Sequence, residues 1–306
     1  MDIDSLISEI HKSQNSIQEI AMQMTDKVCK VEPSSLNLSV CAVDGGLLAH
    51  RMHGVDITVA RAAGVHFLYE NSKIKTFDHH PNKVPKSSVE LMSALDEHEA
   101  NVFRSLVRLK HEITCANELV EKYSPKILLL DGSLLPVPSD IPTKASKLYP
   151  LYQEVLFQYE KLYSSKCLFA GVIKDSRAQR FSEKCSDSVL CDYLLKSGER
   201  TIEMDYFDPT SPKKDMSSLG SKIKFFYIKP SKFDIPLRIE VLGNVDEVAK
   251  IIYALSAISD HFAYPAILIE ADMCAALDPI EIESIEATLQ SKAGLSPLRR
   301  NFRPFR

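Results

Sequence analysis

The sequence predicts a mixed α/β fold, a single sheet with helices on its faces, from three observations. Strand-like segments at about 39–48, 54–61 and 64–70 follow one another through short links, which reads as an antiparallel meander. A helical stretch then leads to "ILLLDG", residues 127 to 132, too short and too apolar for a surface helix and so a central strand buried on both faces. Strand and helix patterns alternate from there onward. With 306 residues, 45% of them hydrophobic, the chain can bury a substantial core. It divides into a helical region at 1–37, a core at 38–280 and a helix with a basic tail at 281–306, all one domain.

Residues 3 to 28 read as a helix, with Ile7, Ile10, Gln14, Ile17, Ala21, Met24 and Val28 spaced alternately by three and four. That seam is short for a free coiled coil, and fits either packing on its own domain or self-association. "VEPSSLN" breaks the helix before the meander. After the meander, "NSKIKTFDHHPNKVPKSS" reads as a loop. Its His79 and His80 have the chemistry of metal ligands, but paired histidines among Pro and Lys read as solvated.

From about 88 to 122 the pattern is helical, with Val102, Leu106, Leu109, Ile113, Ala116 and Val120 on one stripe. After the central strand come a helix at about 145–162, a strand "CLFAGVI" at 167–173 and a helix at 187–197. A loop rich in Ser, Pro, Lys and Asp fills about 205–221, strands follow at 223–228 and 236–242, and helices at 244–258 and 280–292. The tail "SPLRRNFRPFR" carries four arginines.

Composition excludes several classes. No apolar run approaches the roughly 20 residues of a membrane span. The N-terminus carries Asp2, Asp4 and Glu9 rather than a secretory pattern. Seven cysteines form no CxxC pair and read as small core residues in a reducing cytoplasm, neither a disulfide frame nor a zinc site. A net charge of −4 gives no global attraction for nucleic acid, so any DNA contact must come from a local patch or a partner.

Two segments carry the chemistry. "CAVDGG", residues 41 to 46, and "ILLLDGS", residues 127 to 133, each run an apolar strand into Asp-Gly. Meander, helix, strand is the outline of the ribonuclease-H-like architecture, in which the first strand and the strand after the first helix lie side by side. Asp44 and Asp131 then meet at one edge of the sheet. Two close carboxylates repel unless a divalent cation sits between them. Oxygen-only ligands suit Mg²⁺ or Mn²⁺, and a metal pair about 4 Å apart clamps a phosphodiester for in-line attack by water.

A third carboxylate normally comes from the intervening helix, where Glu112 in "LVRLKHEITCA" flanks the apolar stripe. Its bland alternative is a surface ion pair with Arg108, four residues back. Glu118 is the substitute. Lys174 in "GVIKDSR" follows another apolar strand and can neutralise a phosphate or orient the attacking water, unless it is simply solvated. Asp175 beside it has the chemistry of a ligand or of a turn cap, and the turn is the favoured reading.

In this order, "AVDGG", "ILLLDGSLLP", "GVIKDS", "SDSVLCDYLLKSGERT" and "YPAILIEADMCAAL" resemble the NurA family of archaeal and bacterial nucleases, over about residues 40 to 280. The resemblance implies a ribonuclease-H-like fold, a homodimer, and Mn²⁺-dependent (or Mg²⁺-dependent) degradation of DNA. It further implies a 5′–3′ exonuclease with single-strand endonuclease activity, working with a hexameric HerA-like ATPase in DNA-end resection. Residue by residue it implies metal ligation by Asp44, Glu112 and Asp131, and a phosphate or water role for Lys174.

One position departs from the family. Its C-terminal motif runs Pro, Leu, then Ala-His, with the histidine a metal ligand. Here "YPAILIEADMC" keeps Pro265, Leu268 and Ala271 but has Asp272 in the histidine's place. Aspartate is an acceptable hard-metal ligand, so Asp272 is the fourth expected ligand, with consequences for activity and metal preference. His261 is near in sequence but about three helical turns away if the segment is helical, so it is not expected to substitute.

Two other readings compete. One is a non-catalytic relative kept as a DNA- or ATPase-binding subunit. The other is an actin- or sugar-kinase-like ATPase, which uses an Asp-Gly turn to hold phosphate and magnesium but duplicates its core over a longer chain. The heptad helix and the tail, where Phe302 and Phe305 alternate with arginines, are the expected docking or pairing segments.

Overall fold

In the computed structural model, which describes residues 2–93, 95–207, 217–296 and 298, the chain opens with helix α1 (Ile3–Met22) and strand β1 (Val28–Lys30). The helix is shorter than its heptad spacing predicts, and Val28 belongs to a strand that joins the sheet. Only the second half of the seam is packed. Ile17, Ala21 and Met24 bury themselves against Leu190, whereas Ile3, Ile7 and Ile10 face solvent.

The meander is longer than predicted and differently divided. It consists of β2 (Ser39–Met52), β3 (Val55–Glu70), β4 (Lys73–His80) and β5 (Ser88–Ser93). The segments at 54–61 and 64–70 are one strand. The small-residue join that resembles a link is a clearance: a Cβ at Gly64 would come within 2.6 Å of Leu119 in the helix above. The supposed loop after residue 70 contains β4, missed because an exposed edge strand of Lys, Thr and Asp lacks apolar alternation. Asn71 and Ser72, at φ 51° and 59°, make the left-handed two-residue hairpin that joins it to β3. Residues 88–93 pair with β3 as β5, so helix α2 (Glu97–Tyr123) starts later than predicted, where the Asp96 carboxylate accepts the Glu99 N–H at 2.8 Å.

The remaining elements are β6 (Ile127–Asp131), α3 (Tyr149–Tyr163), β7 (Leu168–Ile173), α4 (Asp187–Leu194), β8 (Glu199–Thr201) and β9 (Met204–Asp205). They are followed by α5 (Ser217–Gly220), β10 (Lys224–Lys229), β11 (Leu237–Leu242), α6 (Val245–Ser256), α7 (Ala266–Ala275) and α8 (Pro279–Ala293). Helix α7 had no counterpart in the sequence reading. Most of the Ser/Pro/Lys/Asp loop (208–216) and the Arg/Phe stretch (299–306) lie outside the described residues. Among the described residues no helix is long and apolar enough to cross a membrane.

Among the described residues, eleven strands form one sheet, with the order β1-β8-β10-β11-β7-β6-β2-β3-β4, β5 pairing β3 and β9 pairing β10. Strands β2, β6 and β7 are parallel, as the predicted architecture requires, and β11 and β10 extend the sheet antiparallel beyond β7. Strand β6 is sandwiched as predicted. Ile127 and Leu129 enter the core shared with α6 and α7, while Leu128 and Leu130 enter the core shared with α2 and α3. Each such leucine, fully removed from water, contributes about 1.5–3 kcal/mol. This two-sided burial fixes the centre of the sheet, and the candidate site sits at the carboxyl end of β6.

Candidate active site

The register of β2 on β6 pairs Val40 with Ile127 and runs to Val43 with Leu130, so the next step sets Asp44 beside Asp131. Asp131 ends its strand, but Asp44 does not. Strand β2 continues through both glycines to Met52, so the first Asp-Gly pair is not a turn. The glycines serve as clearances. A Cβ at Gly45 would overlap the Glu112 carboxylate descending from α2, and one at Gly46 would overlap the Ala275 carbonyl oxygen of α7. Their missing side chains admit both neighbouring helices to the strand that carries Asp44.

Glu112 is therefore part of the cluster, not a surface residue. It is 7% exposed, and its Oε1 has no hydrogen-bond partner, with Arg108 Nη1 at 3.4 Å. Burial pushes its carboxyl up to about 8; Arg108 opposes this, and the charges of Asp44 and Asp131 reinforce it. Asp44 is equally buried and accepts the Gly45 N–H at 2.7 Å. Burial first, then the Asp131 charge, pushes it up to about 7, and the Asp272 carboxyl of α7 lies within hydrogen-bond reach of it. Glu118, the substitute for Glu112, is elsewhere engaged, 2.8 Å from His80.

Lys174, just past the end of β7, places Nζ 2.9 Å from Asp131 Oδ2 and 4.2 Å above the Tyr264 ring. Tyr264 is a residue the sequence reading missed. It is 3% exposed, and its hydroxyl lies within hydrogen-bond reach of Asp131, without a closer partner. Burial, then the charge of Asp131 and the reach of the hydroxyl toward that carboxylate, then the charges of Asp44 and Asp272, push its ionisation far upward, so it stays a neutral donor. The available signal was weak: a tyrosine just before Pro265, in the loop that leads into α7. Asp175 sits exposed in the bend after β7, as expected of a turn residue. His261 stacks on Phe233 instead.

His79 and His80 are not solvated. His79 pairs with Glu270 on α7 at 2.9 Å and His80 with Glu118 on α2, with side chains only 13% and 17% exposed.

Past the ends of β6 and β7 opens a cavity of about 590 Å³, lined among others by Ser133, Arg177, Arg180, Tyr206, Arg238 and Glu240. Ser133 follows Asp131 by two residues and Ile173, also in the lining, precedes Lys174, so the cavity opens at the ends of the same two strands, although no side chain of the cluster lines it. Buried Glu240 holds its wall together, accepting from Ser133 Oγ at 2.7 Å, Leu134 N at 3.0 Å and Arg238 Nη2 at 3.0 Å. Arg177 and Arg180 are exposed. They supply the local positive surface that the overall charge lacks.

Four carboxylates converge here with one lysine and one partial arginine contact for compensation. Two of them are driven toward protonation, and one buried oxygen has no partner. Such a set fits a hard divalent cation, which would satisfy the orphaned oxygen and relieve the repulsion.

A family model described as "NurA domain" matches residues 38–277. The fold is similar to the crystal structure of the NurA nuclease from Sulfolobus solfataricus, with a TM-score of 0.65 and 16% identity over 95% of this chain and 97% of that one. It is similar also to a crystal structure of NurA with manganese, at TM-score 0.68 and 13% identity over 95% and 97% of the two chains. A crystal structure of NurA bound to dAMP and manganese matches at TM-score 0.64 and 11% identity over 94% and 95%. A search of curated protein sequences found no match.

Proposed function

The chain belongs to the NurA domain family, and from that premise we propose that it is a divalent-metal-dependent nuclease that hydrolyses DNA phosphodiesters. The observation that carries this reading is the buried, under-compensated meeting of Asp44, Asp131 and Glu112, with Asp272 beside them. Asp44, Asp131, Glu112 and Asp272 are the residues that would hold Mn²⁺ or Mg²⁺. When bound, the ion supplies Lewis-acid polarisation of the phosphate and a water of lowered pKa.

The chain's own groups have distinct parts. Lys174, steered by Asp131 and seated on Tyr264, offers a positive charge to the scissile phosphate or orients the attacking water. The neutral Tyr264 hydroxyl is a preformed donor at the floor of the site. Arg177 and Arg180 border the cavity next to it and give a DNA strand phosphate contacts that a chain of net charge −4 otherwise lacks. Tyr206 in the same wall offers an aromatic face to a base.

The finer assignment is a 5′–3′ exonuclease with single-strand endonuclease activity, acting in DNA-end resection in the cytoplasm. It rests on the family resemblance, and seven free thiols agree with that compartment. A homodimer is supported by the exposed Ile3, Ile7 and Ile10 stripe on α1. The partnership with a HerA-like hexameric ATPase rests on the resemblance alone. An actin- or kinase-like reading loses its basis at residue 44, where the Asp-Gly segment is strand and not a phosphate-holding turn.

Digestion of end-labelled DNA tests the proposal. Mn²⁺ should support cleavage and a chelator stop it, with 5′ and 3′ labels reporting polarity. A protein that binds DNA but leaves it intact with Mn²⁺ and Mg²⁺ would instead be the non-catalytic relative.

A further inference from the structure

On the far side of α7 from Asp44, three chemically different side chains meet at β4. His79 Nε2 lies 2.9 Å from Glu270 Oε1, and Cys274 Sγ lies 3.9 Å from the same oxygen. One ligand atom from each of the three falls within 4.8 Å of the others. Glu270 and Cys274 are four residues apart on one helix face. Asp272, between them in sequence, turns to the opposite side, where it reaches Asp44. None of the three belongs to the carboxylate cluster. Cys274 is buried, and His79 and Glu270 are half-buried.

A His–Glu ion pair explains two of these groups but not the thiol that shares their oxygen. We propose that His79, Glu270 and Cys274 form a second metal site, for a borderline divalent cation of the zinc class, with water as its fourth ligand. The donor set decides the class. Imidazole, carboxylate and thiolate together suit Zn²⁺ or Co²⁺, whereas Mg²⁺ avoids sulfur. Bond lengths of about 2.0–2.3 Å at tetrahedral angles place donor atoms about 3.3–3.7 Å apart, so each donor needs to move by less than about 1 Å. Binding displaces the thiol proton to solvent.

The site ties edge strand β4 to the helix that carries Asp272 and whose Ala275 carbonyl abuts Gly46. An ion there braces one wall of the carboxylate cluster without entering it. The inference stands whether or not the chain cleaves DNA.

Cobalt(II) titrated into the full-length, metal-free protein tests this, because thiolate ligation gives an intense near-ultraviolet charge-transfer band that carboxylates alone cannot. The expected result is a band saturating at a single equivalent per chain, displaced by Zn²⁺, lost in Cys274→Ser and unchanged in Asp44→Asn. Zn²⁺ should also raise the melting temperature of the wild type by more than that of folded Cys274→Ser, which keeps only the carboxylate cluster to bind it. Absence of the band, or its persistence in Cys274→Ser, overturns the proposal. Should Cys274→Ser fail to fold, His79→Gln on the edge strand decides: it must lose the stoichiometric saturation, and retention overturns the site.

Discussion

Gly45 and Glu112 occupy adjoining space so closely that a Cβ on the glycine would lie 2.7 Å from Glu112 Cγ and overlap the carboxylate itself. The glycine therefore sets where the third acid sits. Gly45→Ala should displace Glu112 and lower DNA cleavage by at least about tenfold, or about 1.4 kcal/mol in barrier. In a Glu112→Ala background the same change should cost almost nothing more, because the clash is gone. A double-mutant cycle on cleavage rates checks this, and additive losses would show that Gly45 acts through something other than Glu112.

Asp44→Asn and Asp131→Asn should each abolish Mn²⁺-dependent cleavage. Asp44→Asn should also raise the melting temperature of the metal-free protein, since it removes a buried charge repelled by its neighbours. Loss of function with gain of stability distinguishes a metal-holding acid from a structural one. Digestion assays and melts in chelator report the two effects separately.

Tyr264→Phe is the complementary case. It keeps the aromatic seat of Lys174 and removes a buried hydroxyl whose one neighbour within reach is the Asp131 carboxylate. Stability should change by no more than about 1 kcal/mol, because a weak contact to Asp131 and a buried polar group are lost together. Cleavage should fall if the hydroxyl donates to the substrate. Unchanged turnover in a normally folded Tyr264→Phe would remove Tyr264 from the site.

Arg177→Ala and Arg180→Ala probe the cavity. Each should weaken DNA binding across sequences and flatten the dependence of log affinity on log salt by about one contact's worth. Equal salt slopes in wild type and variants would mean that DNA takes another path.

The parts of this arrangement that the sequence made legible are those dictated by local burial. Strand β6 announced itself by four consecutive apolar residues, because a strand covered on both faces has no polar alternation to obscure it. Asp44, Asp131 and Lys174 stood out as charged residues beside such strands. Strand β4 was hidden for the opposite reason, as an edge whose hydrogen bonds run to β3 while the side chains of its first six residues face water. Long-range placement was equally hidden. Nothing local says that His79 meets Glu270, 191 residues away, or that Tyr264 lies over Asp131. The Asp-Gly-Gly segment misled because glycine signals a turn and a close approach alike, and only the packing of α2 and α7 separates them.

The pH dependence of stability follows from the same cluster. Asp44 is pushed from 3.8 to about 7 and Glu112 from 4.5 to about 8 in the metal-free protein. Both shifts are upward, so the folded state holds these protons more tightly than the unfolded chain does. Their stabilisation is fully present below the unfolded pKa values, near 4, and is lost as pH rises through about 7 to 8. In chelator, the melting temperature should therefore decline between about pH 5 and about pH 8, with each group contributing at most about 1.4 kcal/mol per pH unit. Mn²⁺ should oppose that decline and open a gap that widens with pH, because the cation binds the deprotonated acids and competes with their protons. By the same competition, half-saturation should need more Mn²⁺ as pH falls below about 7. Asp44→Asn should flatten the curve in chelator by removing one of the two groups. Melts across this range, with and without Mn²⁺, decide the matter: a flat profile in chelator would mean that the acids are not held close and uncompensated in the metal-free protein.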